Sequence, residues 1–187
     1  MDELTRIRKF YELKNVERAC SVSGRKESSA EHSWSCLMLA DYFLSTMPLA
    51  KIDRLRVYEL LMYHDLVEIE AGDVCISKEE LRKQKKEREM KALHSLKNKI
   101  PPVLKKKFVD LFLEFEKCET IESKFAKAID ALDAEIHELD YKEDWKGWTE
   151  EFLRRKKEPL FEEFPLLRAL FEDCIAFCKK NGYFVVR

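Results

Sequence analysis

Ser28-Ser29-Ala30-Glu31-His32-Ser33-Trp34-Ser35-Cys36 is the stretch on which the reading of this chain turns. Ser28 and Glu31 stand at capping-box spacing, in which the hydroxyl and the carboxylate satisfy each other's exposed backbone N–H groups at a helix start. His32 then falls on the first turn of the helix. His32, Cys36, Leu39 and Phe43 share one face of it, so the imidazole points inward along the stripe that makes core contacts. A lone buried histidine is usually a hydrogen-bonded core residue, and the rest of the chain must decide whether this one is more.

The pattern on either side is helical. Only four glycines and five prolines punctuate 187 residues, which favours helices with short connections over a sheet with many turns and predicts an all-α fold with almost no strand. Leu4, Ile7, Phe10 and Leu13 give a first helix ending near Asn15, and a polar loop follows from Val16 to Glu27. Asp53 caps a helix that buries Val57, Leu60 and Leu61, runs past Glu68 and ends at Gly72. Ser77 and Glu80 repeat the capping-box spacing before a largely solvated helix over 78–99. Pro101 and Pro102 start the next helix, and Thr120 caps one whose apolar stripe is Phe125, Ile129, Leu132 and Ile136. On that helix Ala126, Asp130, Asp133 and His137 form the adjacent stripe, at the border of the core. Pro165 opens a last helix closed by Gly182. No linker composition interrupts the chain, so it reads as a single domain over residues 1–187, with the motifs in 13–141 and C-terminal helices over 149–181 packed on them.

Composition narrows the function classes. Charged residues make up 38% of the chain but cancel to a net charge of -1, which removes the basic field expected of a partner for nucleic acid polymers. Six cysteines occur without a C-x-x-C pair and read as thiols of a reducing compartment. Met1-Asp2-Glu3 carries no apolar leader, and no apolar run approaches the roughly 20 residues needed to cross a bilayer. The expectation is a cytoplasmic protein with no membrane partner.

His64 and Asp65 are neighbours about 100° apart on their helix, near enough to share one cation, with His32 and Asp130 supplied from facing helices. Two neutral imidazoles and two carboxylates suit one divalent metal ion (Mn, Co, Fe, Ni or Zn) and can accept Mg, whereas the absence of thiolate argues against a structural zinc cage. Open positions on such an ion can take water and a phosphate oxygen. Glu68, one turn beyond His64, and Asp73, just after Gly72, are carboxylates placed to move protons. Because His32 and His64 ligate as neutral rings, metal affinity and activity are expected to fall as pH drops through the imidazole range.

The order His32, His64-Asp65, Asp130 resembles the H...HD...D signature of the HD-domain superfamily of phosphohydrolases. The flanking Ser28-to-Ser33, Tyr63-His64-Asp65-Leu66-Val67-Glu68 with Gly72-Asp73, and Phe125-Ala126-Lys127-Ala128-Ile129-Asp130 are similar to the branch that contains the 5'-deoxynucleotidases. The resemblance implies a single-domain HD helical bundle, metal ligation by His32, His64, Asp65 and Asp130, and catalytic carboxylates at Glu68 and Asp73. It also implies a substrate-phosphate contact from Arg18, a job suited to a guanidinium fork, although an isolated arginine is as often a surface ion pair. A small-molecule nucleotide is the implied substrate and a homodimer the implied assembly. The bacterial enzymes select deoxyribose with a tryptophan near that arginine and a residue after the Gly-Asp pair; here Ala19, Cys20 and Ser21 follow Arg18, and Val74 follows Asp73.

Two rival readings stand beside the nucleotidase. One is a phosphodiesterase or other phosphate-ester hydrolase; among these, the guanosine-tetraphosphate hydrolases place an acid directly after the glutamate, where this chain has Ile69. The other is a regulatory domain that holds metal and nucleotide without turnover, against which the spare carboxylates Glu68 and Asp73 argue. Asp133 and His137 can orient a ligand or face solvent. Trp145 and Trp148 pack the C-terminal helices or line a base pocket.

Overall fold

The computed structural model describes residues 1–46, 52–76 and 83–185. Helix α1 (Glu3–Tyr11) starts at Asp2, whose carboxylate accepts from the Thr5 backbone N–H at 2.8 Å, and a 3-10 turn (Glu12–Asn15) carries the chain on to bury Leu13. Its apolar spacing is only half used: Leu4 and Ile7 are exposed, while Phe10 and Leu13 reach the core.

The polar loop expected between Val16 and Glu27 is instead a two-stranded hairpin, β1 (Glu17–Val22) and β2 (Arg25–Ser28), paired antiparallel with Val22 opposite Arg25. Ser23 and Gly24 turn the chain with φ of 45° and 80°, the pair of left-handed residues that tight hairpins use. Between Glu17 and Ser21 the register slips. Arg18, Ala19 and Cys20 therefore lie in a bulged stretch, a device that re-aims side chains beside functional sites.

Helix α2 (Ser29–Thr46) begins at the expected capping box: the Ser28 backbone N–H donates to Glu31 at 2.9 Å and the Glu31 N–H to the Ser28 hydroxyl at 3.3 Å. Helix α3 (Arg54–Tyr63) is capped by Asp53. It does not run past Glu68. The chain passes through turns at His64–Val67 and restarts as the short α4 (Glu68–Ala71), with bonds from Leu66 to Tyr63, Glu68 to Asp65 and Ile69 to Leu66. Bonds spanning three residues tighten the backbone here, and Asp65, a poor helix former, sits at the break.

Helix α5 (Lys85–Leu96) follows; the Ser77 capping pattern lies outside the described residues, and α5 buries Glu89, Ala92, Leu93 and Leu96, so it is less solvated than its composition suggests. Helix α6 (Pro102–Lys117) has Pro102 at its first turn, and Thr120 caps α7 (Ile121–Glu138) by accepting from the Ser123 N–H at 3.1 Å. Helices α8 (Glu150–Lys157) and α9 (Pro165–Lys180) complete the chain. Helix α7 is the axis of the fold, packing against α2, α3, α6 and α9. Cys36, Leu60, Leu61, Phe108, Phe125, Ile129 and Leu132 fill the space between these helices, and Trp145, Phe161, Phe164 and Phe171 extend the same cluster beneath the C-terminal elements. Trp145 is core, its indole N–H donating to the Glu138 carbonyl at 2.9 Å. The six cysteines form no disulfide. Among the described residues, no helix is long and apolar enough to cross a membrane.

Candidate active site

His32 is fully buried on the first turn of α2. Its Nδ1 lies 2.9 Å from Asp133 Oδ2, which also accepts from the Ser35 hydroxyl at 2.8 Å. A carboxylate in that position holds the proton on Nδ1 and leaves the Nε2 lone pair free. That nitrogen faces Asp130 Oδ1 at 3.0 Å. His64 is oriented by the same logic from a different partner: its Nδ1 donates to the Leu61 carbonyl at 2.7 Å, and its Nε2 sits 3.2 Å from Asp65 Oδ1 and 3.9 Å from Asp130 Oδ1.

Four acceptors thus point at one another, an arrangement that repels unless a cation lies among them. His64 Nε2 and Asp65 Oδ2 are buried with no hydrogen-bond partner. Buried polar atoms without partners are rare and need an explanation. A divalent cation supplies one, so the donor set fits the metal that the sequence implies. Without it, a proton does part of the same work: burial opposes charge on His32, yet the hydrogen bonds to Asp130 and Asp133 hold its pKa well above the ordinary value. Burial also opposes charge on Asp65 and Asp130, and the neighbouring imidazoles bring Asp65 down to about 2 and hold Asp130 well below the carboxylate range.

Sequence reasoning set Cys36 on the His32 face of α2 but did not weigh it as part of this cluster. Its Sγ lies 3.5 Å from His32 Nε2, one turn further along α2, and burial pushes its pKa up to about 12. As a thiol it packs beneath the ring, because a soft ligand must be ionised to bind metal. Asp133, weighed as an orienting group, faces His32; His137 turns to the hairpin, its Nε2 2.8 Å from the Ser21 carbonyl.

Arg18 projects from the bulge into the same site. Its Nε donates to Glu27 at 3.1 Å, and Nη1 lies 3.5 Å from Asp65 Oδ2. Burial works against its charge, but the Asp65 carboxylate holds its pKa well above the usual value. Glu68 is buried and accepts from the Ser29 hydroxyl at 2.7 Å; burial, with the Asp65 and Asp73 charges, raises its pKa well above the ordinary range. Asp73 follows Gly72, whose φ of 70° and ψ of 154° lie outside the reach of other residues.

Arg18, His64, Asp65, Glu68, Asp73 and Asp130 line one cavity of 340 Å³. That volume is in the range of small-ligand sites. The fully buried His32 stands behind it. The cavity continues past Asp130 toward Cys20, Glu135, Glu138 and Trp148. The larger 790 Å³ depression beside Lys14, Arg25 and Trp34 contains none of the site residues. At the far end of the 340 Å³ cavity, Lys157 pairs with Glu135 and donates to the Ala131 carbonyl at 3.0 Å. Burial disfavours the Lys157 charge, and Glu135 more than restores it. This far end was not foreseen, although Asp130, Ala131, Ala134, Glu135 and Glu138 recur at one-face spacing in the sequence. Both tryptophans pack in the core, and Trp148 also borders this cavity.

The fold and this cluster define the class. The model of the HD domain family matches residues 10–168, and the chain belongs to that family of metal-dependent phosphohydrolases. It is similar over 98% of its length to a protein from Magnetospirillum magnetotacticum described as a predicted metal-dependent phosphohydrolase, at 28% identity and a TM-score of 0.78, covering 96% of that chain. A conserved hypothetical protein from Pyrococcus furiosus aligns over 92% of this chain and 99% of its own at 26% identity, with a TM-score of 0.65. The human 5'-deoxynucleotidase HDDC2 is 27% identical over 143 residues, 73% of this chain and 67% of its own. The Xenopus laevis 5'-deoxynucleotidase HDDC2 is 30% identical over 93 residues, half of this chain and 46% of the frog protein, so the match spans less than half of that relative.

Proposed function

We propose that this protein hydrolyses nucleoside 5'-monophosphates to nucleoside and inorganic phosphate, with one divalent metal ion held by His32, His64, Asp65 and Asp130. The observation that carries the reading is the convergence of two buried acceptors without a hydrogen bond, His64 Nε2 and the Arg18-paired Asp65 Oδ2, on a cavity that also holds Glu68 and Asp73. The similarity to proteins named 5'-deoxynucleotidases supports the choice of substrate.

A metal ion bound there would polarise the phosphoryl group and make a water more acidic. Arg18 exchanges part of its ion pairing with Asp65 for two phosphate oxygens and holds the group in place. Glu68 and Asp73 share the proton traffic: one takes a proton from the attacking water as its oxygen bonds to phosphorus, and the other gives one to the 5'-oxygen as the P–O bond breaks. Asp133 and the Leu61 carbonyl keep both imidazoles in the tautomer that leaves Nε2 available. The homodimer, the single-domain organisation and the cytoplasmic setting belong to the same proposal; sedimentation at twice the 22.3 kDa chain mass would support the first.

Phosphate release from ribo- and deoxyribonucleoside 5'-monophosphates, by metal-stripped protein with Mn, Co, Mg, Fe, Ni or Zn restored separately, tests the reading. Release that depends on added metal is expected, and the ratio between the two sugars then gives the preference. Release only from cyclic nucleotides or other phosphate esters would replace the nucleotidase with a different phosphohydrolase, and binding without release under any metal would favour the regulatory reading.

A further inference from the structure

The cavity has a second polar end for which the proposed chemistry has no use. Asp130, Ala131, Ala134, Glu135 and Glu138 line it from a single helix, α7, and alternating steps of one and three residues keep them on one face. At 1.5 Å rise per residue, Glu135 stands about 7.5 Å and Glu138 about 12 Å along the axis from Asp130. Two alanines keep the wall between them low. The groove therefore leads from the cation site to a pair of carboxyls, past room for a flat or ring-shaped group, with Trp148 also bordering it.

Glu135 is 1% exposed, and one of its oxygens is taken by Lys157. Its Oε2 is buried without a hydrogen-bond partner. Glu138, one turn nearer the C-terminus on the same helix, makes no hydrogen bond to it, and its Oε1 accepts from the Cys20 thiol at 3.0 Å. A buried carboxylate oxygen left without a donor is strongly disfavoured, and this one lines a cavity that leads to the reacting centre. The donor it calls for is neutral, since the Lys157 ammonium already balances the Glu135 charge and would repel a second cation.

We propose that Glu135 is a specificity-determining residue, whose Oε2 accepts a hydrogen bond from a neutral O–H or N–H on the alcohol portion of the phosphate ester. A sugar hydroxyl and a base amino group both offer that chemistry. The assignment rests on the phosphomonoesterase reading, and it makes Glu135 a determinant of which alcohol leaves, with no part in breaking the P–O bond.

The test compares, on the metal-loaded protein, a deoxyadenosine 5'-monophosphate with its 3'-deoxy analogue, with its purine analogue lacking the 6-amino group, and with p-nitrophenyl phosphate. The wild type should lose tenfold or more in kcat/KM when the one group that Glu135 reads is deleted; which analogue suffers identifies sugar or base. Two variants follow: Glu135→Gln, and Glu135→Leu with Lys157→Met, which avoids leaving a buried lysine unpaired. Both should raise KM for the full substrate while leaving p-nitrophenyl phosphate hydrolysis within about twofold of wild type, so that the discrimination collapses. Calorimetric titration with the product nucleoside and its two analogues reads the same preference without turnover. Equal use of all substrates by the wild type, or equal loss on all of them in both variants, overturns the Glu135 assignment while the hydrolase reading survives. If no ester releases phosphate, the hydrolase reading fails, and the titration alone decides: equal binding of the three nucleosides overturns the assignment, and a preference abolished by Glu135→Gln sustains it.

Discussion

His32 is held on both sides of its ring, and the two contacts do different things. Asp133 fixes the tautomer from behind, while Asp130 shares the front. Replacing Asp133 by alanine should therefore leave the helices intact and weaken metal binding by about 10- to 100-fold, which competition against a chromogenic chelator measures; unchanged affinity would remove Asp133 from the account. Glu138 gives a second expectation, about stability. Burial, and then the charge of Glu135, pushes its carboxyl up to about 7 from the ordinary 4.5. The folded chain thus binds more protons than the unfolded one between those values, so stability is greatest below about pH 4.5 for this group, falls as pH rises to about 7, and then levels. The side chain is 8% exposed, and the change is of order 3 kcal/mol. Urea denaturation of Glu138→Gln should lack that part of the pH dependence; an identical profile in variant and wild type would contradict it.

Helix ends were legible wherever a local chemical signal marks them. Ser28 with Glu31, Asp53 and Thr120 all cap as their spacing predicts, and Pro102 and Pro165 sit in first turns. The hairpin was not, because what holds it lies far away in the chain: Asp144 accepts from the Ser21 backbone N–H at 2.6 Å and from its hydroxyl at 2.9 Å, and the Tyr141 hydroxyl meets the Ser23 N–H at 3.1 Å. Its short strands show no alternating pattern, and the Ser23-Gly24 turn was the one local clue. The break after Tyr63 hid for the opposite reason, since the apolar spacing of Val57, Leu60 and Leu61 continues smoothly through His64 and Glu68. Gly72 matters more for that segment than its role as a helix end suggests. A side chain at its φ and ψ would cost about 1–3 kcal/mol, and nothing crowds the position, so Gly72→Ala should act through the backbone that aims Asp73. We expect a lower melting temperature and a fall in kcat larger than any change in KM; full activity would show that Asp73 tolerates displacement.

Over the whole molecule, α7 joins the two halves of the site. Its Asp130 and Asp133 meet His32 on α2, Asp130 also faces His64, and further along Glu135 and Glu138 meet Lys157 and Trp145 from the elements after Tyr141. The end of the cavity where His64, Asp65 and Asp130 meet has a sequence signal, two histidines and two aspartates in a restrictive order. The Glu135 end has no such signal, since it exists only once Trp148 and Lys157 have folded over α7. A cation that binds the folded chain alone should stabilise all of it together, by about 4 kcal/mol at a thousandfold excess over Kd. Scanning calorimetry should then show one transition moving upward with metal; a transition indifferent to every divalent ion tried would contradict a site built among the core helices.

The most direct test is metal stoichiometry, measured by mass spectrometry after cobalt loading and exhaustive dialysis, for wild type and for His64→Ala and Asp130→Ala variants whose helical circular dichroism is unchanged. One cobalt per wild-type chain and a large loss in both variants is the predicted result. Full retention of cobalt in either variant would place the ion elsewhere and contradict the reading of His32, His64, Asp65 and Asp130 as the metal centre.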